Sequence, residues 1–298
     1  MDIRQLQYLV VLSEEKHFTR AAAVCNVTQP TLSGRIRQLE IELGVPIVER
    51  GKKFHGLTQE GERIVTWAKK ILSDCNSLRS EANGQGVRVP SRVSMAVIPS
   101  AATQVSHLVH ELKARWPAAH IAIQPLSHDE IQNALNDFAV DCAITYLAEL
   151  DQVTYNCDHL YNEDYRLFVA SDHRLACQET VSLHQVTSYP MIALSARLKN
   201  RQFVDAAFRQ AACWREPDIE CGSLEMMLSL LPGSKYAAIM PEHFSSFAGP
   251  DVVTIPLSDQ GLSHEVGFIS LRRDMEPVLV QGLHDIMAKY ARKHYEMA

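Results

Sequence analysis

An α/β chain with an all-α head is the fold class that the sequence predicts, and three observations predict it. Residues 17–43 read as two short helices around a tight turn. From residue 57 to residue 82 apolar positions recur at spacings of four and three. Beyond residue 92, strand patterns alternate with helix patterns.

In chain order, Ile3, Leu6, Leu9, Val10 and Leu12 recur at helical spacing and predict a first helix over 3–14. Thr19 is placed to cap a second helix, which the run Ala21-Ala22-Ala23 favours. Asn26 stands where the turn needs a left-handed backbone. Thr28 is placed to cap a third helix, with Pro30 in the first turn, where its missing N–H removes no helical bond. Leu32, Ile36, Leu39 and Leu43 predict one buried stripe. Around it stand Thr28, Gln29, Pro30, Thr31, Ser33, Arg35, Arg37 and Gln38, whose hydroxyls and long donors suit phosphates and base edges in a DNA groove. The plain alternative is a surface helical hairpin. Gly44 ends the helix and Pro46 prevents a restart.

Residues 47–57 read as a small hairpin wing, with Arg50, Lys52 and Lys53 set to follow the DNA backbone or enter the minor groove. As an alternative, these three form a solvated charge cluster. Thr58 then caps a long helix to about residue 82. Its seam is Leu57, Gly61, Ile64, Ala68, Ile71, Cys75, Leu78 and Ala82, the period of a coiled coil. Some ~25 residues give ~37 Å of rod, read as a dimerisation helix. Val65, Trp67 and Leu72 beside the seam are expected against the head. A dimer presents two recognition helices to two half-sites about one DNA turn apart. Asn83-Gly84-Gln85-Gly86 has the composition of a hinge.

Strands are predicted at 92–98, 120–125, 141–146, 165–170, 191–194, 218–221, 236–240, 252–257 and 265–271. Helices are predicted at 102–115, 129–137, 200–213, 223–231 and 276–295. This alternation predicts a mostly parallel sheet.

Bulk properties agree with two or three domains in 298 residues, 46% of them hydrophobic. No run of eighteen apolar residues occurs and the N-terminus lacks a leader pattern, so a cytoplasmic protein without a membrane contact is expected. The first 90 residues carry 13 Lys+Arg against 10 Asp+Glu, and the remainder carries 16 against 25. A basic head on an acidic body suits a head that meets a polyanion. The seven cysteines include no Cys-x-x-Cys and are expected as reduced, mostly buried thiols. The thirteen histidines are scattered without ligand spacing, so no metal and no cofactor are expected.

The chain resembles the LysR-type transcriptional regulators. The matching residues are Phe18, Ala21, Ala22, the run Val27-Thr28-Gln29-Pro30-Thr31-Leu32-Ser33, Ile36, Leu39-Glu40, Leu43-Gly44, Arg50, Leu57-Thr58 and Gly61. The resemblance implies an N-terminal winged helix-turn-helix (1–58), a linker and dimerisation helix with hinge (59–86), and an effector-binding domain (87–298). That last domain would be periplasmic-binding-protein-like, with subdomain I over about 92–162 and 268–298 and subdomain II over about 163–267. Two crossover strands would join them around a small-molecule cleft. One departure stands out: the family usually carries a basic residue after the serine of the recognition helix, and here that position is Gly34.

Ligands bind outside the carboxyl ends of strands, where helix N-termini point. That rule selects Ser100, Ala101, Thr103 and Gln104 after the first strand, a stretch that contacts effectors in the family. It also selects Ser127, Thr145, Ser195, Arg197 and Ser223 at later strand ends. Ser100 and Ser223 serve equally as helix caps, Arg197 as an exposed ion-pair residue, and the direction of Thr145 depends on register. Cys221, beside a predicted helix start, is expected to be the most reactive thiol.

The sequence therefore predicts a regulator that binds double-stranded promoter DNA and senses a small molecule in its C-terminal cleft. It would act as a homodimer through the linker helix and, by resemblance, as a homotetramer, with RNA polymerase a candidate partner. Three rivals remain: a thiol-based redox sensor, against which the lack of paired cysteines around 190–210 counts; an enzyme with an appended head; and an architectural DNA binder.

Overall fold

The computed structural model describes residues 1–49, 54–82, 92–259, 261–273 and 278–294. The chain divides into two units, residues 1–90 with 134–140, and residues 91–133 with 141–298.

In the head, Asp2 opens α1 (Ile3–Glu15) with a capping box completed by Gln5. The second helix, α2 (Phe18–Val24), is capped by His17 and not by Thr19, which lies inside the first turn. The His17 ring Nδ1 accepts from the backbone N–H of Thr19 at 3.2 Å and of Arg20 at 3.5 Å. Asn26 takes the left-handed backbone at φ 54°. Thr28 caps α3 (Gln29–Leu43) by accepting from Thr31 N–H, and Gly44 closes it at φ 73°. The buried stripe of α3 is shorter than its pattern suggests. Leu32, Ile36 and Leu39 are buried, whereas Leu43, in the last turn, is 40% exposed.

Two apolar clusters hold these helices. Leu12, Ala21, Ala22, Leu32 and Ile36 form one, in which the small alanines let α2 and α3 approach closely. Leu6, Leu9, Leu39 and Ile47 form the other, together with Val65 and Ala68 of α4 (Gln59–Ala82). Gly61 is obligatory there, because a Cβ would collide with the Ile47 carbonyl. Thr58 Oγ1 accepts from Gly61 N–H at 2.9 Å and donates to the Pro46 carbonyl at 2.7 Å.

The seam of α4 is thus partly consumed within the chain. Gly61 and Ala68 are buried in the head, with Ile64, Ile71 and Leu72 at its margin. Trp67, expected against the head, is 62% exposed, with Lys70 Nζ 5.3 Å over its ring. Two residues along a helix turn it by about 200°, so Trp67 faces away once Val65 is buried. Leu78 is also exposed. The wing is held at its base by one antiparallel bridge, Val48 to Leu57, and by Glu40 Oε1, which accepts from the N–H groups of Ile47 (2.7 Å) and Val48 (3.0 Å). Arg50, Lys52, Lys53 and the 83–86 hinge lie outside the described residues.

In the second unit, β1 (Arg92–Val97), β2 (His120–Pro125) and β3 (Cys142–Tyr146) are parallel, with β1 in the middle. Next comes β4 (Tyr155–Ala170), a single 16-residue strand shared by two sheet halves. The second half contains β5 (Met191–Leu194), β6 (Ile219–Cys221), β7 (Ala237–Pro241) and β8 (Val252–Pro256). Finally β9 (Ser263–Leu271) returns antiparallel between β3 and the first part of β4. The order is β2-β1-β3-β9-β4-β7-β5-β6, with β8 on the other side of β4.

The sheet is mixed and not mostly parallel: β4 and β9 run antiparallel to their neighbours, while β5 is parallel to β6 and β7. Strand β4 begins at Tyr155 and not at Tyr165. Asn156, Asp158, Asn162, Glu163 and Asp164 interrupt the apolar alternation there, and only pairing with β9 holds this stretch extended. Gly267 of β9 lets the strands close in, since a Cβ would meet the Leu147 side chain and the Asp158 carbonyl.

The helices of this unit are α5 (Val105–Arg115), α6 (His128–Asn136), α7 (Leu183–Val186), α8 (Lys199–Gln210), α9 (Leu224–Ser229) and α10 (Val278–His294). The short α7 and the 3-10 turns Pro99–Thr103 and Glu242–Phe247 escape the apolar periodicity because each is too brief to carry one. Helix α8 stops at Gln210, short of residue 213, where Ala212 turns left-handed at φ 52°. Helix α10 packs on the first half: His284 Nδ1 meets Asp158 Oδ2 at 2.5 Å and His284 Nε2 meets Ser270 Oγ at 2.8 Å. No described helix is long and apolar enough to cross a membrane.

Candidate functional site

Two surfaces are chemically distinct from the rest. The first is the outer face of α3. Thr28, Gln29, Pro30, Thr31, Arg35, Arg37 and Gln38 are exposed, and Ser33 is half-buried. Part of the donor set is engaged within the head. Arg35 pairs with Asp2 at 3.3 Å, Gln38 donates to Glu42 at 3.1 Å, and the hydroxyls of Thr28 and Thr31 share a hydrogen bond of 2.8 Å. Arg37 has no ion partner among the described residues. Gly34 is exposed in the middle of this face, and a Cβ there would meet nothing within 4 Å. The site is a convex, solvated set of donors, fit to meet a polyanion.

The second surface is the cavity between the two sheet halves. It is lined by Ile98, Pro99, Ser100, Ser127, His128 and Tyr146 from the first half and by Leu194, Leu198, Lys199, Asn200, Ser223 and Leu224 from the second, and its halves stand close, leaving about 20 Å³ that the centre of a water-sized sphere can occupy. The strand ends and helix starts of both halves converge there, as the sequence rule requires.

Each element places one group. The 3-10 turn after β1 buries Ser100, which caps nothing; its Oγ meets the Tyr146 hydroxyl at 3.1 Å. Strand β3 brings Tyr146 and Thr145 to the floor. Thr145 is fully buried, and its Oγ1 meets His128 Nδ1 at 2.9 Å. Ser127 opens α6 against Glu130 and also reaches the cavity wall. Ser223 caps α9 through Met226 N–H and lines the cavity as well. At the start of α8, Lys199 pairs with Glu149 of the first half at 2.5 Å, a link across the opening. Arg201 anchors α8 from behind, buried and bonded to the Leu194 carbonyl (2.6 Å), Asp205 (2.8 Å) and Glu220 (3.0 Å).

Behind Tyr146 lies a buried carboxylate. Glu163 is 1% exposed, and its Oε1 accepts from the hydroxyls of Tyr146 at 2.6 Å and Tyr165 at 2.7 Å. Burial, and then the Glu163 charge, pushes both phenols well above their usual range. Phe203 of α8 lies edge-on to Tyr146 and stacks on His264 at 3.6 Å between ring centres. Burial and the nearby Lys199 charge lower the pKa of both His128 and His264, so both rings are held toward the neutral form. His243 Nε2 binds the Ser100 carbonyl at 2.8 Å, a second tie between the halves. Asn200 is buried, and its Nδ2 has no hydrogen-bond partner among the described residues.

Of the nine positions selected from sequence, Ser100, Ser127 and Ser223 line this cavity. Thr145 stands one hydrogen bond behind it, through His128. Ala101 is buried without lining it, and the Thr103 hydroxyl is buried without a partner among the described residues. Gln104 lines a different, open groove with Arg166, Glu242 and His243. Ser195 is half-buried and Arg197 exposed, and neither lines the cavity. His128 follows Ser127 in the stretch that the strand-end rule selects, and it lines the cavity too; the residues missed are Tyr146, Glu163, Lys199, Asn200, Phe203 and His264. The start of α8 carried a readable signal, a charged and polar helix opening directly after a strand end. Glu163 and His264 carried none, because both sit in polar stretches that only strand pairing explains.

The thiols differ from expectation: all seven are free, but only Cys142 and Cys221 are buried, four are half-buried and Cys177 is exposed. Cys221 is 4% exposed, and burial raises its pKa. Desolvation outweighs any pull from the start of α9, so Cys221 is not an activated thiol. Burial raises the pKa of Cys25, Cys142, Cys157 and Cys213 as well, while Cys177 is exposed.

Comparison with known proteins places this architecture. Residues 88–292 match the LysR substrate binding domain, and residues 3–62 match the bacterial regulatory helix-turn-helix proteins of the lysR family. The hydrogen peroxide-inducible genes activator of Haemophilus influenzae is 31% identical over 244 residues, covering 81% of this chain and 80% of that protein. The HTH-type transcriptional regulator AlsR of Bacillus subtilis is 25% identical over 293 residues, covering 94% and 93%. Among solved structures, a full-length cysteine-to-aspartate variant of OxyR from Pseudomonas aeruginosa superposes with a TM-score of 0.80 at 24% identity, covering 98% of this chain and 95% of that one. Full-length CbnR in complex with its target DNA does so at 0.70 and 18%, covering 98% and 99%. At these identities the structural likenesses speak to the fold.

Proposed function

This chain belongs to the LysR family and is a LysR-type transcriptional regulator with an effector-binding domain, and from that premise we propose how its two surfaces divide the work. The exposed face of α3 enters the major groove of promoter DNA. Gln29, Thr31, Ser33, Arg35 and Arg37 serve as the reading and phosphate-binding set, with Arg50, Lys52 and Lys53 of the wing on the flanking backbone. With Gly34 in place of a basic side chain, Arg37 carries more of the electrostatic grip. The domains run 1–58, 59–86 and 87–298.

The cavity between the sheet halves receives a small-molecule effector. The observation that carries this is Asn200, a buried side chain on the cavity wall whose amide nitrogen has no partner among the described residues. A buried donor left unpaired costs about 1–3 kcal/mol, and a ligand acceptor offsets that cost. The Lys199–Glu149 and His243–Ser100 links both cross between the halves. A ligand that prefers one spacing of the halves therefore shifts the equilibrium between arrangements. Dimerisation uses the part of α4 not buried in the head, where Trp67 and Leu78 are exposed. A homotetramer that contacts RNA polymerase completes the reading.

The test is DNA binding by fluorescence anisotropy, with a thermal-shift screen of metabolites on the full chain. Protected promoter DNA at low salt and a ligand whose shift is lost in Asn200→Asp are expected. A folded dimer that protects no DNA would overturn the reading.

A second reading, thiol-based peroxide sensing, is favoured by the relatives named hydrogen peroxide-inducible genes activators. In this chain burial raises the pKa of five of the seven thiols, which counts against fast oxidation. Mass spectrometry after mild peroxide separates the readings. One cysteine oxidised ahead of the others, with a matching change in DNA affinity, would favour the thiol switch.

A further inference from the structure

The direction of the hydrogen bonds behind the cavity sets what its wall offers a ligand. Glu163 accepts at one oxygen from two phenols, those of Tyr146 and Tyr165. A phenol has one proton to give, and both are committed to the carboxylate. The Tyr146 oxygen therefore has only lone pairs left for its 3.1 Å contact with Ser100, so Ser100 donates. With its single proton turned inward, Ser100 shows the cavity an acceptor. The chain Ser100 to Tyr146 to Glu163 thus transmits the polarity of a buried carboxylate to the cavity wall. Its members come from the turn after β1, from β3 and from the shared strand β4, so the relay exists only in the folded domain.

On the opposite wall the polarity is reversed. Asn200 offers a buried N–H donor without a partner among the described residues, and the ammonium of Lys199 beside it, 14% exposed and paired with Glu149, has further N–H groups to give. His128, bonded at Nδ1 to Thr145 and at Nε2 to Gln132, has both ring nitrogens engaged and adds neither a free donor nor a free acceptor.

We propose that the effector is a small carboxylic acid that also carries a hydrogen-bond donor, a hydroxyl or an amine, with its carboxylate at Asn200 and Lys199 and its donor at Ser100. This rests on the effector reading above and specifies the ligand chemistry at the same cavity. A plain carboxylic acid would leave the Ser100 acceptor facing carbon, and a plain amine or alcohol would leave Asn200 unpaired. Each mismatch is a buried polar group without a partner, the most discriminating contact available to a binding site.

Isothermal titration calorimetry on the full-length protein tests this with two matched sets of probes. One set is L-alanine, L-lactate and propionate; the other is L-glutamate, L-2-hydroxyglutarate and glutarate. In at least one set the amino or hydroxy acid is expected to bind tenfold or more tighter than the unsubstituted acid. Ser100→Ala is expected to abolish that preference by weakening the amino and hydroxy acids tenfold or more. Asn200→Asp is expected to weaken every acid in the set by tenfold or more. Equal affinity within both sets, tighter binding of the unsubstituted acids, or binding of none of the six overturns the inference. A ligand of other chemistry whose binding is lost in Asn200→Asp would overturn it while the effector reading stands. No cavity ligand at all from a broad screen would remove both.

Discussion

The outer face of α3 and the cavity of the C-terminal unit use the same residue types in opposite ways. On α3, Thr, Gln and Arg side chains stand in water, and their engagements within the chain are exposed and cheap to break. In the cavity, Ser, Thr, Tyr, Glu and Asn are buried, and most are bonded in a fixed direction. Water masks polarity at the first site, whereas burial enforces it at the second. The lesson is that a surface built for a polyanion is tuned by counting charges, and a cleft built for a small molecule is tuned by the placing of single protons.

The contrast is open to direct tests. The largest effect is expected for Glu163→Ala, which leaves two buried phenols without their acceptor. Loss of one partner from such a network costs on the order of 3 kcal/mol, read by urea denaturation of the full chain. A cost no larger than that of an exposed substitution would break the comparison. Acid comes next. His128 and His264 are held below the ordinary histidine value of 6.5 in the folded state, chiefly by burial and then by Lys199. The unfolded chain therefore takes up protons first, and stability is expected to fall as pH drops below about 6.5. His128→Gln is expected to flatten that slope, measured as Tm against pH, and an unchanged slope would count against burial as the cause.

On the other surface, Arg37→Ala is expected to leave Tm unchanged and weaken promoter binding roughly tenfold at low salt. The salt dependence of log K should lose about one unit of slope. The smallest effect is expected for Gly34→Ala, because the site is exposed and open. Removing a helical glycine should stabilise the head by about 0.5–1 kcal/mol, with DNA affinity little changed. Gly34→Arg adds a cation to the same face and is expected to raise affinity at low salt; no rise would mean that α3 does not approach the phosphates.

The legibility of the two surfaces in the sequence differs for the same reason. The turn at Asn26, the cap at Thr28 and the stop at Gly44 each depend on neighbours within four residues, so their patterns are complete in the chain itself. Leu43 and Trp67 mark where this fails. Helical spacing says which residues share a stripe, but not how far along the helix a partner covers it. The start of β4 fails for a related cause: its polar residues are extended only because β9, about a hundred residues later, pairs with them.

What the sequence by itself determined is the local chemistry: the helix-turn-helix, its exposed donors and the alternation of strands and helices. Helix caps and apolar periods act over one or two turns and need no distant partner. What only the tertiary structure decided is the cleft. Ser100, Tyr146, Glu163 and Asn200 lie far apart along the chain; strand ends and helix starts mark Ser100 and Asn200, but nothing local marks Tyr146 and Glu163 or says that the four share one site. Their meaning comes from burial, which strips away water and leaves each proton a single place to go.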